Sequence, residues 1–151
     1  MLQQNCLLWA VLICYNIFML QKNHSVFLAR IALFVVYFWF GLLKVIGMSP
    51  ASEMVEKLLG ITMPFMPFSV FIILFGLFEM LIGILFFIPR WEKVALGLFA
   101  IHMFTTTLPL FFMGEVWTSV LVPTLEGQYI IKNLALVACA WTVWDSTRDE
   151  I

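Results

Sequence analysis

Charge is scarce in this chain. Eight Lys and Arg and nine Asp and Glu are spread over 151 residues, so 11% of positions are charged, against about 25% in soluble domains. Hydrophobic residues make up 64%, more apolar surface than a soluble fold of this size can bury. The class that remains is integral membrane, with a single domain. A net charge of −1 excludes the basic footprint of a nucleic-acid-binding protein. Cysteine is sparse too: Cys6, Cys14 and Cys139 form no C-x-x-C pair. Each lies in an apolar run, where it reads as a small buried hydrophobe rather than a disulfide-exchange centre. The two histidines, His24 and His102, fall at different depths, which excludes a bundle haem held by both, and the ligands for a zinc site are lacking. No metal is expected. No Lys or Arg precedes the first apolar stretch and no small-residue cleavage site follows it, so a signal peptide is not expected.

What is abundant is long apolar runs, and the chain is organised around one of them, Phe68 to Ile88 (FSVFIILFGLFEMLIGILFFI). A run of this length spans a bilayer core of about 30 Å. Its only charge, Glu79, sits near the centre, and an ionisable group at that depth is a functional candidate. Gly76, Glu79 and Gly83 share one helical face that can admit a neighbouring helix closely.

Three further spans are expected. Phe27 to Ile46 is entered by Arg30, whose side chain can snorkel to the headgroups, and carries Tyr37, Gly41 and Lys44 on one face. Val94 to about Phe112 has His102 near its centre, Thr105, Thr106 and Thr107 able to bond back to helix carbonyls, and Pro109 to kink or end it. The last span, about Gln128 to Trp144, has a polar and small stripe of Lys132, Ala135, Cys139 and Thr142. Between the first two spans, SPASEMVEKLLG reads as a short surface helix with Ser49 as cap and Gly60 as stop. Asn5 to Leu20 is apolar but short; it reads as an interfacial helix or a short fifth span, closed by a polar break at Gln21–Ser25 with His24 in a solvated loop. The expected fold class is therefore all-α, an integral membrane four-helix bundle. The chain divides into an apolar N-terminal segment (1–25), the four-helix domain (26–145) and a solvated tail (146–151).

Basic residues cluster before the first span (Lys22, Arg30), between the second and third (Arg90, Lys93) and after the fourth (Arg148). By the positive-inside rule both termini face the cytoplasm. Glu79 and His102 then lie near midplane, with Lys44 and Lys132 in the outer half. Asn133, Gln128, Tyr129 and Glu126 lie close above Lys132. One outer pocket gathering Glu79, His102, Lys44 and Lys132 would lower the cost of burying each. The ligand-binding or proton-handling candidates are Glu79, His102, Lys44, Lys132, Tyr37 and Asn133; Gly41, Gly76 and Gly83 are the helix-packing candidates. The same set also reads as a buried polar network that only fixes helix register.

The succession ARIALFVVYFWFGLLKVIGMSPA, FGLFEMLIGILFFIPR, HMFTTTLPLFF and PTLEGQYIIKN resembles the DoxX-like family of small bacterial membrane proteins over about residues 29 to 143. The resemblance implies a four-helix bundle in the bacterial inner membrane, with Arg30, Gly41, Lys44, Glu79, Gly83, His102 and Lys132 on the family pattern. Some relatives are named as subunits of a quinone-linked thiosulfate oxidoreductase. The GQYIIKN stretch also resembles a neighbouring family of inner-membrane proteins associated with resistance to reactive chlorine.

Three functions of different class follow. One is a redox-associated membrane subunit, without an intrinsic cofactor but binding a quinone or another small apolar molecule, beside a soluble or membrane oxidoreductase partner. Another is a small transporter with Glu79 and the two lysines along a polar path. The third is a non-catalytic anchor for a soluble partner. A homo-oligomer is compatible with each. The chain carries no redox domain, cysteine pair, or flavin or nucleotide motif of its own, which argues against a self-contained oxidoreductase.

Overall fold

The computed structural model describes residues 2–88 and 90–148, with side chains from His24 onward. The side chains of Cys6, Cys14 and Lys22, and the tail beyond Arg148, lie outside the described residues.

The chain is mostly helical. α1 is Leu2–Val45, about 66 Å long at 1.5 Å per residue. The expected break at Gln21–Ser25 is not one: the helix runs through it, and His24 is a helical residue. No Gly or Pro occurs there, and polar residues other than those two lower helix stability by only tenths of a kcal/mol each. What does stop α1 is Gly47, left-handed at φ +74°. Its amide reaches Lys44 O, and the Met48 amide reaches back to Leu43 O at 2.8 Å, a Schellman-type end. Lys44 is thereby fixed in the last turn of α1.

α2, Ser52–Thr62, begins later and ends later than expected. Ser49 Oγ accepts from the Ala51 amide, in the turn before the helix, and Gly60 lies inside it. The stop is Pro64, which bars its predecessor from helical geometry; Met63 is at φ −140°. α3, Phe68–Phe87, follows Pro67 at its cap. α4, Glu92–Thr107, is interrupted at Pro109 and continued by the single turn α5, Pro109–Phe112. The three threonine hydroxyls bond to the carbonyls of His102, Met103 and Phe104 at 2.8–3.0 Å, as expected.

The loop from Met113 holds a 3-10 turn, Gly114–Val116, and a small antiparallel hairpin of β1, Trp117–Ser119, and β2, Val122–Pro123. α6, Leu125–Arg148, starts beneath it. Thr124 caps α6, its Oγ1 accepting from the Gly127 amide. A Cβ at Gly127 would lie 2.5 Å from Val116 O, so glycine lets the loop close onto the helix.

The four long helices are neighbours in a ring, α1 and α4 each packing against both α3 and α6. Their shared core includes Leu33, Ile82, Phe86, Ala95, Phe99 and Val143. Outward faces are apolar on all four, with Trp39 on α1, Leu77 on α3, Phe104 on α4, and Leu134 and Trp141 on α6 exposed. A surface this apolar suits lipid rather than water. Three helices are long and apolar enough to cross a membrane: His24–Val45, Phe68–Phe87 and Glu92–Phe112. α6, expected as the fourth span, has the length but not the same apolarity, because Gln128, Lys132, Asn133 and Asp145 dilute it.

α1 and α3 touch backbone to backbone. A Cβ on Gly41 would lie 2.5 Å from Gly76 O, and a Cβ on Gly76 would lie 2.6 Å from Gly41 O. Two turns along α3, a Cβ on Gly83 would lie 3.0–3.1 Å from the backbone of Phe38 and Phe34. These are the three glycines expected to admit a neighbouring helix, and their closeness sets the geometry of the site.

Candidate functional site

A buried chain of four protic side chains lies among α1, α3 and α4. On α3, Gly76 and Gly83 bracket Glu79, so the approach that brings α1 close also aims the carboxylate at it. Lys44 Nζ, one turn past Gly41, donates to Glu79 Oε2 at 2.6 Å. The other carboxylate oxygen, Oε1, lies 2.9 Å from His102 Nε2 on α4. His102 Nδ1 in turn lies 3.0 Å from the Tyr37 hydroxyl, back on α1. The order is Lys44–Glu79–His102–Tyr37, and the four are between 3% and 6% exposed.

Charge balance assigns the protons. An isolated charge in a dry interior is costly, so the favoured state is net neutral. One net-neutral state that satisfies every donor and acceptor has Lys44 as ammonium, Glu79 as carboxylate, and His102 and Tyr37 neutral. The carboxylate can only accept, so His102 donates from Nε2–H; its bare Nδ1 then accepts the Tyr37 O–H. The alternative, an imidazolium donating at both nitrogens, adds an uncompensated positive charge.

Aromatic rings seal the chain. Phe75 stacks on His102 with centroids 5.2 Å apart, and Lys44 Nζ lies 5.6 Å from the centroid of the same ring. Phe78 is tilted against His102 at 6.2 Å, and Phe99 against Tyr37 at 5.6 Å. Among the described residues, no buried side-chain nitrogen or oxygen lacks a hydrogen-bond partner. Tyr37 and Lys44 are two turns apart on α1, so the chain extends about 10 Å along the helix axis, from mid-span to the helix end.

Three of the four residues expected in one pocket, Glu79, His102 and Lys44, are thus brought together, with Tyr37 as the fourth member. Lys132 is elsewhere. It is exposed on α6, with Nζ 4.8 Å from the ring centroid of Tyr129, one turn back. Asn133 is half-buried and outside the chain. Arg30 pairs with Glu92 at the start of α4, Nη2 to Oε1 2.6 Å, rather than snorkelling free. That pairing and the Phe75, Phe78 and Phe99 lining were not found by sequence reasoning, since each depends on which helix faces which.

A third charged contact lies at the Lys44 end, outside the bundle. Lys57 of α2 bonds Glu115 at 2.7 Å and Glu53 at 3.2 Å. The hydrogen bonds that Lys57 donates to the Glu115 and Glu53 carboxylates hold its ammonium above its ordinary range. Nearby, the backbone amide of Glu126 at the start of α6 and the Thr124 hydroxyl hold the Glu126 carboxyl below its usual range.

Among the described residues no three His, Cys, Asp or Glu side chains gather as metal ligands. The one chemistry this arrangement offers directly is movement of a proton along a chain of hydrogen bonds. No family model matches this chain, and no curated protein or solved structure is similar to it.

Proposed function

We propose that this chain is a DoxX-like four-helix protein of the bacterial inner membrane, acting as a redox-associated subunit. In this reading α6 completes the bundle as a fourth span, both termini are cytoplasmic, and the Lys44–Glu79–His102–Tyr37 chain handles protons for a quinone-like or other small apolar molecule.

The observation that carries the reading is the chain itself: a lysine, a carboxylate, an imidazole and a phenol in unbroken hydrogen-bonded order within three apolar helices. Taking two charges out of water costs several kcal/mol per ion, so intramembrane ionisable groups are functional by default. Reduction or oxidation of a quinone moves protons with electrons. A neutral imidazole between a phenol and a carboxylate can take a proton at Nδ1 as it passes the one on Nε2 to Glu79, so that no added charge stays on the ring. The electron partner would be a soluble or membrane oxidoreductase, in keeping with the absence of a nucleotide or flavin motif here. The path expected of a transporter gains less support, because Lys132 is not on it.

A second reading, a network that only fixes helix register, is favoured by one specific observation. The four groups satisfy one another without a ligand. Mild solubilisation followed by native mass spectrometry separates the two. A quinone travelling with the wild-type protein and lost from His102→Leu supports the proton-handling reading. A ligand-free wild-type protein that still complements the cell supports the structural one.

A further inference from the structure

α4 and α6 leave a groove of about 410 Å³ on the outer surface of the bundle. Gly97 and Ala100 line one side and Ala140, Trp141 and Trp144 the other, with Lys93 at one end. The helices run antiparallel here, so the groove follows two turns of each, about 10 Å.

Gly97 is the telling residue. Gly41, Gly76 and Gly83 are demanded by backbone contacts, but a Cβ added at Gly97 would meet no atom within 4 Å. A mid-helix glycine weakens a helix by about 1 kcal/mol relative to alanine, and no approaching element explains this one. What the missing side chain leaves is open groove, beside the small Ala100 and Ala140 and against two indole rings.

The mouth is basic. Lys93 is exposed, and its neighbour Glu92 is buried and held by Arg30. Among the residues that line the groove, Lys93 is the one that carries a charge. Tryptophans sit at headgroup depth in membrane proteins, and basic clefts between spans on the cytoplasmic side hold anionic headgroups.

We infer that this groove binds one acyl chain of an anionic phospholipid whose phosphate rests on Lys93. The walls are apolar apart from the indole N–H groups of Trp141 and Trp144, and the charge at the end, Lys93, matches an anionic headgroup, which a quinone ring lacks. A second copy seated in the groove would appear in native mass spectra as a dimer that excludes the lipid, and that result overturns the proposal.

The test is native mass spectrometry of the full chain in mild detergent, titrated with dioleoyl phosphatidylglycerol or dioleoyl phosphatidylcholine. The wild-type protein should retain the anionic lipid about fivefold more tightly, the contribution of one lysine near the surface. Lys93→Gln should bind both lipids equally. Gly97→Leu, whose new side chain enters the open groove, should keep its helicity and melting temperature and lose both lipids; Ala100→Phe is a second filling variant should the first misfold. Equal retention of the two lipids by the wild type overturns the proposal. So does a folded filling variant that retains phosphatidylglycerol as the wild type does, or displacement of that lipid by short-chain ubiquinone.

Discussion

Glu79 Oε2 lies 2.6 Å from Lys44 Nζ across 35 positions of chain, and the two are each other's charge partner in the apolar interior. Removing one member of a buried pair leaves an uncompensated charge. Lys44→Met should therefore destabilise the protein by about 3–5 kcal/mol. Lys44→Met combined with Glu79→Leu should recover part of that loss, because replacing a buried pair wholesale is often neutral. Chemical unfolding in detergent of both single variants and the double variant gives the coupling. Additive losses would show that the pair is not coupled.

The glycines divide into two kinds. Gly41→Ala should destabilise the bundle by about 1–3 kcal/mol through overpacking, since its Cβ would sit 2.5 Å from Gly76 O. Gly83→Leu should do so as well. Gly97→Ala should be neutral or stabilise by up to about 1 kcal/mol. Thermal unfolding in one detergent ranks the three, and equal effects at Gly41 and Gly97 would contradict the close approach of α1 and α3.

The contact of Lys57 with Glu115 should depend on pH and salt. The Lys57 pKa is raised in the fold, so its stabilising contribution is fully present below the unfolded value of 10.5. It is lost as pH rises through the folded value. Spin labels at Glu56 and Thr118 should report a fixed distance below that pH and a broadened one above it. High salt should broaden it also, because both partners are exposed. A distance unchanged by either treatment would mean that packing alone holds α2 to the loop.

Topology has its own readout. Cysteines introduced at Trp91 and at Thr118 should be labelled from opposite sides of the membrane, with the Trp91 site cytoplasmic. Labelling from one side would remove α4 as a span.

How much of this was legible depends on the residue. Glu79, Lys44 and His102 stand out because each is a lone titratable group in an apolar helix, and helical spacing alone puts Tyr37 beside Gly41 and Lys44. Lys132 was misjudged for a physical reason: α6 has two faces of similar character. The polar and small stripe through Lys132 and Ala135 is exposed, while Gly127, Ile130, Ala140 and Val143 are buried, and spacing does not say which face turns inward. The hairpin between α5 and α6 is not marked in the sequence because its tip, Val120–Leu121, lacks the Asn or Gly that usually signals such turns; Leu121 takes the left-handed conformation itself, at φ +61°. The break expected after Leu20 failed because polarity is not a helix stop, whereas the glycine and proline stops at Gly47 and Pro64 are stereochemical.

The central claim is that the Lys44–Glu79–His102–Tyr37 chain handles protons for a bound apolar ligand. It is tested most directly by the pH dependence of short-chain ubiquinone binding in the wild-type protein and in Glu79→Gln. The amide keeps the shape of the carboxyl group while removing its charge; it accepts at one oxygen only, so with that oxygen on Lys44 its NH2 faces His102, which must present a bare Nε2. The account predicts that Glu79→Gln still folds, though less stably because Lys44 loses its counter-charge, and that binding which varies with pH in the wild type becomes flat in the variant. Identical pH profiles in the two proteins would contradict it and leave Glu79 as a residue that sets helix register.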